Sequence, residues 1–219
     1  MAASPASDGP VRRRLPAAER REHLLAVALS EFSARGYHAT QMDHVAAAAG
    51  VSKALLYQHF PGKEELFATV VDDTVGIFVG ALPALVGSAQ EPLEAWRDAV
   101  ALLVGLVEQM PERWRLVARY LADPELGVRL REMREELYRV LADILVAFYA
   151  PAARAEALSD EELRRTAAQT MPLLVGALQA LLSWWLEHPS VPRAEVEQRA
   201  VETLWLGLDR LRHGERLTS

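Results

Sequence analysis

The chain has no cysteine. Disulfides and thiolate metal sites are therefore excluded, and a reducing cytoplasm is the expected setting. Lysine is nearly missing as well. Lys53 and Lys63 are the two in the sequence, and every other strong base is an arginine. Valine and isoleucine are not gathered into strand-like runs, while alanine, leucine and arginine abound. That balance favours an all-α fold. The opening residues, MAASPASDGPVRRR, have no apolar centre and do not have the pattern of a signal peptide. The longest apolar stretch, Met171 to Leu186, is interrupted by Pro172, Gly176 and Gln179. It falls short of the ~20 residues that span a bilayer and reads as a buried helix, so no membrane is expected. Signatures of nucleophilic hydrolases, phosphate-binding loops, zinc proteases and dinucleotide folds are lacking too. The six histidines are scattered. No catalytic residue, metal site or cofactor is implied.

What is present describes a globular protein. Half of the residues are hydrophobic and a quarter are charged, and 219 residues suffice for one large domain or two small ones. The net charge of −6 is unevenly spread. Between Val11 and Lys63 eight Lys or Arg face four acids, a segment of +4 that leaves −10 to the remainder. A basic N-terminal part on an acidic body is the asymmetry expected where one end meets phosphate.

Prolines, glycines and caps divide the chain into about nine helices. Residues 1–15 read as a flexible basic arm. Pro16 can open a helix, Leu25, Leu29 and Phe32 make its apolar stripe, and Gly36 stops it in the C′ position. Thr40 with Asp43 reads as a capping box for the next helix, whose stripe is Met42, Val45, Ala46 and Ala49. Gly50 ends that helix, and Ser52 caps another that carries Leu56 inward as far as Phe60. Pro61-Gly62 is a turn. The helix from Lys63 contains Gly76, Gly80 and Pro83. Pro92, Pro111 and Pro124 each open a further helix. Ser159 with Glu162 caps a long one to His188, with a kink expected at Pro172, and Pro192 opens the last.

Two short helices joined by a tight glycine turn are a helix-turn-helix, here at about residues 41–60. Ala46 to Ala49 and Gly50 allow close approach of the helices, and Val51 and Leu56 lock them together. The outward face of the second helix is then Lys53, Ala54, Leu55, Tyr57, Gln58 and His59. That mixture suits a major groove, where Lys reaches guanine O6/N7 and aliphatic groups touch thymine methyls. Ser52 places a helix N-terminus towards the phosphates.

The run Thr40 to Leu66, TQMDHVAAAAGVSKALLYQHFPGKEEL, resembles the DNA-binding domain of the tetracycline-repressor (TetR) family. Its Ala-Gly-Val-Ser, Leu-Tyr-x-His-Phe and Lys-Glu-x-Leu elements stand in order and in register, and so does the aromatic after Gly36, Tyr37. The resemblance covers roughly 50 residues. It implies that Thr40, Gln41, Tyr57 and His59 contact the DNA backbone, that Lys63 binds a phosphate, and that Lys53, Ala54 and Leu55 read bases. Ala54 and Leu55 stand where the family often has Gly and Thr or Ser, so the operator cannot be copied from a relative. Arg12, Arg13 and Arg14 are readable either as a minor-groove arm or as a solvated tail.

Beyond about Ser88 the resemblance is architectural. It implies an all-α protein in which a three-helix DNA-binding domain, residues 16–66, precedes a helical effector-binding and dimerisation domain, residues 67–219. The function implied is that of a transcriptional regulator, most simply a repressor released from its operator by a small effector. A DNA-binding protein of the same fold that senses no small molecule is the alternative. The expected partners are a double-stranded operator with inverted-repeat symmetry, a second copy of the chain and the effector. Phe78, Trp96, Met110, Trp114, Tyr120, Tyr138 and Phe148 are the candidate pocket residues, and their character points to a hydrophobic or aromatic ligand. The helix from Asp160 to His188 is apolar nearly all round and must be buried on two sides. Leu178, Leu181, Leu182, Trp185, Leu204 and Leu208 are the candidate dimer contacts.

Overall fold

A computed structural model of the chain describes residues 16–80, 82–83, 91–123, 125, 127–155 and 159–212, without the side chains of 148–155, 208 and 210–212. The expected arm and its arginines, Pro124, and the side chains of Phe148 and Leu208 lie outside the described residues.

Nine helices and no strand make up the described residues. The first three are α1 (Ala17–Ala39), α2 (Met42–Ala48) and α3 (Lys53–His59). The next are α4 (Lys63–Val79), α5 (Pro92–Gln109) and α6 (Pro111–Ala122). The last are α7 (Val128–Ala155), α8 (Asp160–Glu187) and α9 (Arg193–Arg212). The regular part of α1 breaks at Gly36, whose φ of 79° is the left-handed conformation that glycine adopts without a Cβ penalty. Pro111 begins α6 immediately after Met110, which closes α5 and opens α6 in one non-helical residue. Ser159 and Glu162 form the expected capping box, each side chain reaching the other's backbone N–H.

Three boundaries differ from the sequence reading. Gln41, not Thr40, is the N-cap of α2, and its partner is His44, whose Nδ1 accepts the Gln41 N–H at 3.4 Å. Thr40 is fully buried, and its hydroxyl donates to the Gly36 carbonyl at 2.8 Å. The Thr40 side chain is turned back onto the end of α1, and the cap of α2 falls to Gln41. α4 runs through Gly76 without a break, and Gly80 is its C-cap rather than an interior residue. α7 begins at Val128, later than the start at Pro124 that the sequence suggested. α8 is the single long helix expected, with Pro172 inside it.

One hydrophobic core runs through the described molecule. Leu24, Ala28 and Phe32 of α1 meet Val45 and Ala46 of α2, Leu56 of α3, and Leu66 and Phe67 of α4. The same core continues through Val100 and Val104 of α5 and Leu116 and Val117 of α6 to Leu182 of α8. A satellite cluster of Ala142, Leu163, Ala167, Met171 and Leu174 holds α7 on α8. Gln179, the polar break in the longest apolar stretch, reaches across to the Ala118 carbonyl at 3.0 Å, so its amide is satisfied inside the bundle. No helix among the described residues is long and apolar enough to cross a membrane.

Candidate nucleic-acid interface and effector cavity

α2 and α3 are too short to be stable alone, so their packing must hold them. Gly50 at φ 65° turns the chain between them. The turn closes with the Gly50 N–H on the Ala47 carbonyl at 3.1 Å and the Val51 N–H on the Ala46 carbonyl at 3.0 Å. Ser52 then caps α3, its Oγ accepting the Leu55 N–H at 3.2 Å. Leu56 is 0% exposed and Phe60 is 1% exposed, so one side of α3 is pinned to the core. His23 donates from Nε2 to the Ala49 carbonyl at 3.2 Å, and the Arg21 guanidinium lies 5.3 Å from the Phe60 ring centre. α1 thereby holds the end of α2 and the end of α3.

The opposite side of α3 stands free of the body. Lys53, Ala54, Tyr57 and Gln58 are exposed, while Leu55 and His59 are half-buried. These are the six residues that the sequence assigned to the reading face. Ser52 and Gln41 are exposed beside them at the starts of α3 and α2. Thr40 does not join them, because its side chain is enclosed.

The two lysines have different surroundings. Lys53 Nζ sits 2.7 Å from Asp43 Oδ1 of α2, with both side chains more than half exposed. Its carboxylate partner holds the Lys53 pKa above the usual lysine value, chiefly through that hydrogen bond. Sequence reading gave Asp43 to a cap and missed this pair. The signal available was two opposite charges flanking a tight turn. Lys63 is half-buried and donates to the Tyr37 carbonyl at 3.0 Å and the His38 carbonyl at 3.3 Å. Its ammonium also lies 4.5 Å from the Tyr37 ring centre. A cation there satisfies carbonyls that the end of α1 leaves open, so Lys63 fixes α1 to α4 before it meets any ligand. The Tyr37 pKa is raised, first by burial and then by the charge of Glu64.

The three N-terminal helices are tied to the rest through α4 and α6. Ser33 Oγ donates to the Glu112 carbonyl at 3.1 Å, and Arg119 donates to the Ser33 carbonyl at 3.0 Å. His38 Nε2 lies 3.1 Å from Asp123 Oδ2. Tyr120 packs its ring near Phe67 and donates its hydroxyl to the Leu130 carbonyl at 2.7 Å, and burial pushes its phenol pKa well up.

Between α4, α5, α6, α7 and α8 lies a cavity of about 190 Å³. Val75, Phe78 and Val79 of α4 form one wall, and Leu141, Met171 and Leu174 belong to the wall across it. Of the candidates named from the sequence, Phe78, Trp96 and Trp114 line it. Met110, Tyr120 and Tyr138 do not. Met110 is the α5–α6 corner, Tyr120 is fixed by its hydroxyl to Leu130, and Tyr138 packs between the core and the satellite cluster. Aliphatic side chains make up most of the wall, and in sequence they are indistinguishable from ordinary core.

The expected dimer residues are largely turned inward. Leu182 is 0% exposed and Trp185 is 6% exposed within their own chain. The Trp185 indole N–H donates to the Val191 carbonyl at 3.0 Å, closing the α8–α9 turn. Leu178 lines the cavity, and Leu181 and Leu204 are half-buried. The outward apolar positions are Leu173, Ala177, Ala180 and Trp184 of α8 with Leu206 of α9. Leu173 is 74% exposed and Leu206 is 68% exposed, values that no core residue reaches.

Known proteins resemble both parts of this arrangement. Residues 24–70 match the family described as bacterial regulatory proteins, tetR family. A transcriptional activator, FasR of Mycolicibacterium smegmatis, is 33% identical over 134 residues, which are 60% of this chain and 61% of that protein. The regulator RutR of Escherichia coli is 30% identical over 105 residues, 48% of this chain and 49% of its own. The matched stretches thus span about half to three fifths of these relatives. A TetR-like regulator from Rhodococcus sp. RHA1 superposes with a TM-score of 0.66 at 27% identity, covering 90% of this chain and 99% of that one. The regulator FadR of Bacillus subtilis, solved in complex with stearoyl-CoA, has a TM-score of 0.64 over 84% of this chain and 96% of its own. Its 16% identity makes that a likeness of fold.

Proposed function

We propose that the chain, whose residues 24–70 match the tetR family of bacterial regulatory proteins, is a sequence-specific DNA-binding regulator of transcription. In this reading it is a cytoplasmic repressor that binds an inverted-repeat operator as a homodimer and leaves it when a small apolar effector occupies the cavity. Residues 16–66 serve as the DNA-binding unit and residues 67–219 as the effector-binding and dimerisation unit. The observation that carries the reading is the division of α3. Leu56 is anchored in the core while Lys53, Ala54, Tyr57 and Gln58 stand clear of it. A helix held on one side and free on the other is what insertion into a major groove requires.

The chemistry of the parts supports the rest. Lys53 supplies a donor for a guanine edge once it exchanges Asp43 for the base, and a solvent-exposed ion pair of this kind holds it only weakly. Tyr57, His59 and Gln41 flank it as contacts to phosphate and sugar. Lys63 uses two of its three N–H groups on α1 and has one left for a phosphate. The cavity shares Val75, Phe78 and Val79 with the far end of α4, whose first residue is Lys63. An effector that widens the cavity moves α4, and α4 carries the position of α3 with it. The apolar strip of Leu173, Ala177, Ala180, Trp184 and Leu206 is the face on which a second copy would pack.

Selection of bound duplexes from a random pool tests the reading. An inverted repeat whose half-sites lie about one helical turn apart, or a multiple of it, is expected. Failure to enrich any sequence contradicts the proposal. Transcription in vitro from a promoter carrying the selected site then gives the sign. Repression is expected, and stimulation would place the chain with the activators, as the name of the first relative above does for that protein.

A further inference from the structure

Two indole donors on side chains that line the cavity have nothing to bond. Among the described residues, the indole N–H groups of Trp96 and Trp114 are the buried side-chain polar groups without a hydrogen-bond partner. Both rings line the same cavity, and every other lining side chain is apolar. The contrast with Trp185 is direct, since that buried indole donates to a backbone carbonyl. Trp114 is 5% exposed and is held edge-to-face against Phe78 at 5.6 Å, where a neighbouring ring is at most a weak acceptor. Leaving a buried N–H unpaired is unfavourable, and native proteins seldom do so without a reason.

Resting on the effector reading above, we infer that the effector is an uncharged apolar molecule carrying a hydrogen-bond acceptor, such as a ketone, ester or ether oxygen, that takes the Trp96 or Trp114 N–H. Three observations lead to this. The wall is apolar, so the body of the ligand is apolar. The wall holds no cation, so a carboxylate placed inside would be buried without a counter-charge. The two orphan donors need an acceptor and offer nothing to a donor. The volume of about 190 Å³ exceeds the roughly 150 Å³ of engineered apolar cavities that take benzene, which sets the size near that of a substituted ring.

The experiment uses three probes matched in shape and heavy-atom count: cumene, acetophenone and benzoate. Each is titrated by calorimetry into the full-length protein and into the Trp96→Phe and Trp114→Phe variants, which keep an aromatic ring and lose the N–H. Acetophenone should bind the wild type about five-fold more tightly than cumene, the worth of roughly one recovered hydrogen bond of about 1 kcal/mol. Benzoate should bind more weakly than either. One indole N–H proton resonance should move downfield with acetophenone and stay with cumene. One of the two variants should lose the acetophenone advantage while binding cumene as the wild type does, which also shows that its cavity is intact. Equal binding of acetophenone and cumene, preference for benzoate, or an advantage that survives in both variants would overturn the inference. In those cases cumene binding still leaves the effector reading standing. If no probe binds, both the inference and the effector reading fail.

Discussion

Lys63 and Lys53 carry the same charge into different work. Lys63 is half-buried, donates to two carbonyls and lies over the Tyr37 ring, so its ammonium is structural before it is a ligand for phosphate. Lys63→Ala should therefore lower unfolding free energy by about 1–2 kcal/mol in a urea titration, and weaken binding to operator and scrambled duplex alike. Lys53 is exposed, paired with Asp43 and set over the Tyr57 ring. Lys53→Ala should leave stability essentially unchanged, cost about 1–3 kcal/mol on the operator and cost little on scrambled DNA. Equal losses of specificity in the two variants would show that the reading face is misassigned. The reading face was legible in the sequence because Leu56 and Phe60 mark the buried side of a short helix by spacing alone. The partners of the lysines were not legible, because they come from α1 and α2 through the turns at Gly36 and Gly50.

Helix limits were legible where a local chemical group sets them. Pro111, Ser159 with Glu162, Gly36 and Gly50 all act as read. Thr40 was misread because its sequence neighbourhood fits a cap equally well, whereas its buried side chain turns back to the Gly36 carbonyl. α4 is the element on which the regulatory account turns. Gly76 lies on its exposed side, and beyond its own helix backbone nothing lies within 4 Å of where a Cβ would stand. Gly76→Ala should then raise stability by up to about 1 kcal/mol, by helix propensity and reduced freedom of the unfolded chain. If α4 must shift when the cavity fills, the stiffer helix should need more effector to release DNA while binding operator normally in its absence. An unchanged release curve in a stabilised Gly76→Ala protein would remove α4 from the mechanism.

At the scale of the molecule, the double burial expected of α8 is real on one side and open on the other. Leu182 and Trp185 face inward, and Leu173, Ala177, Ala180 and Trp184 face out. Apolar periodicity told that the helix has two faces to cover. It could not tell which face belongs to the chain itself, because leucine and tryptophan occur on both. Sedimentation of Leu173→Glu and Trp184→Glu should give folded monomers, since a new charge at either place is solvated in a single chain. Leu182→Glu should instead unfold the chain, because its charge would be buried without a partner. Monomeric wild-type protein would contradict the dimer. The central claim is that α3, presented by this fold, reads DNA sequence, and it is tested most directly by one measurement. The selected operator and a scrambled duplex of the same composition are titrated with wild type and with a Lys53→Ala, Tyr57→Ala, Gln58→Ala triple variant at physiological salt. The account predicts at least about a thousand-fold preference for the operator in the wild type, and its collapse in a triple variant that remains folded. A triple variant that keeps the wild-type preference would contradict it.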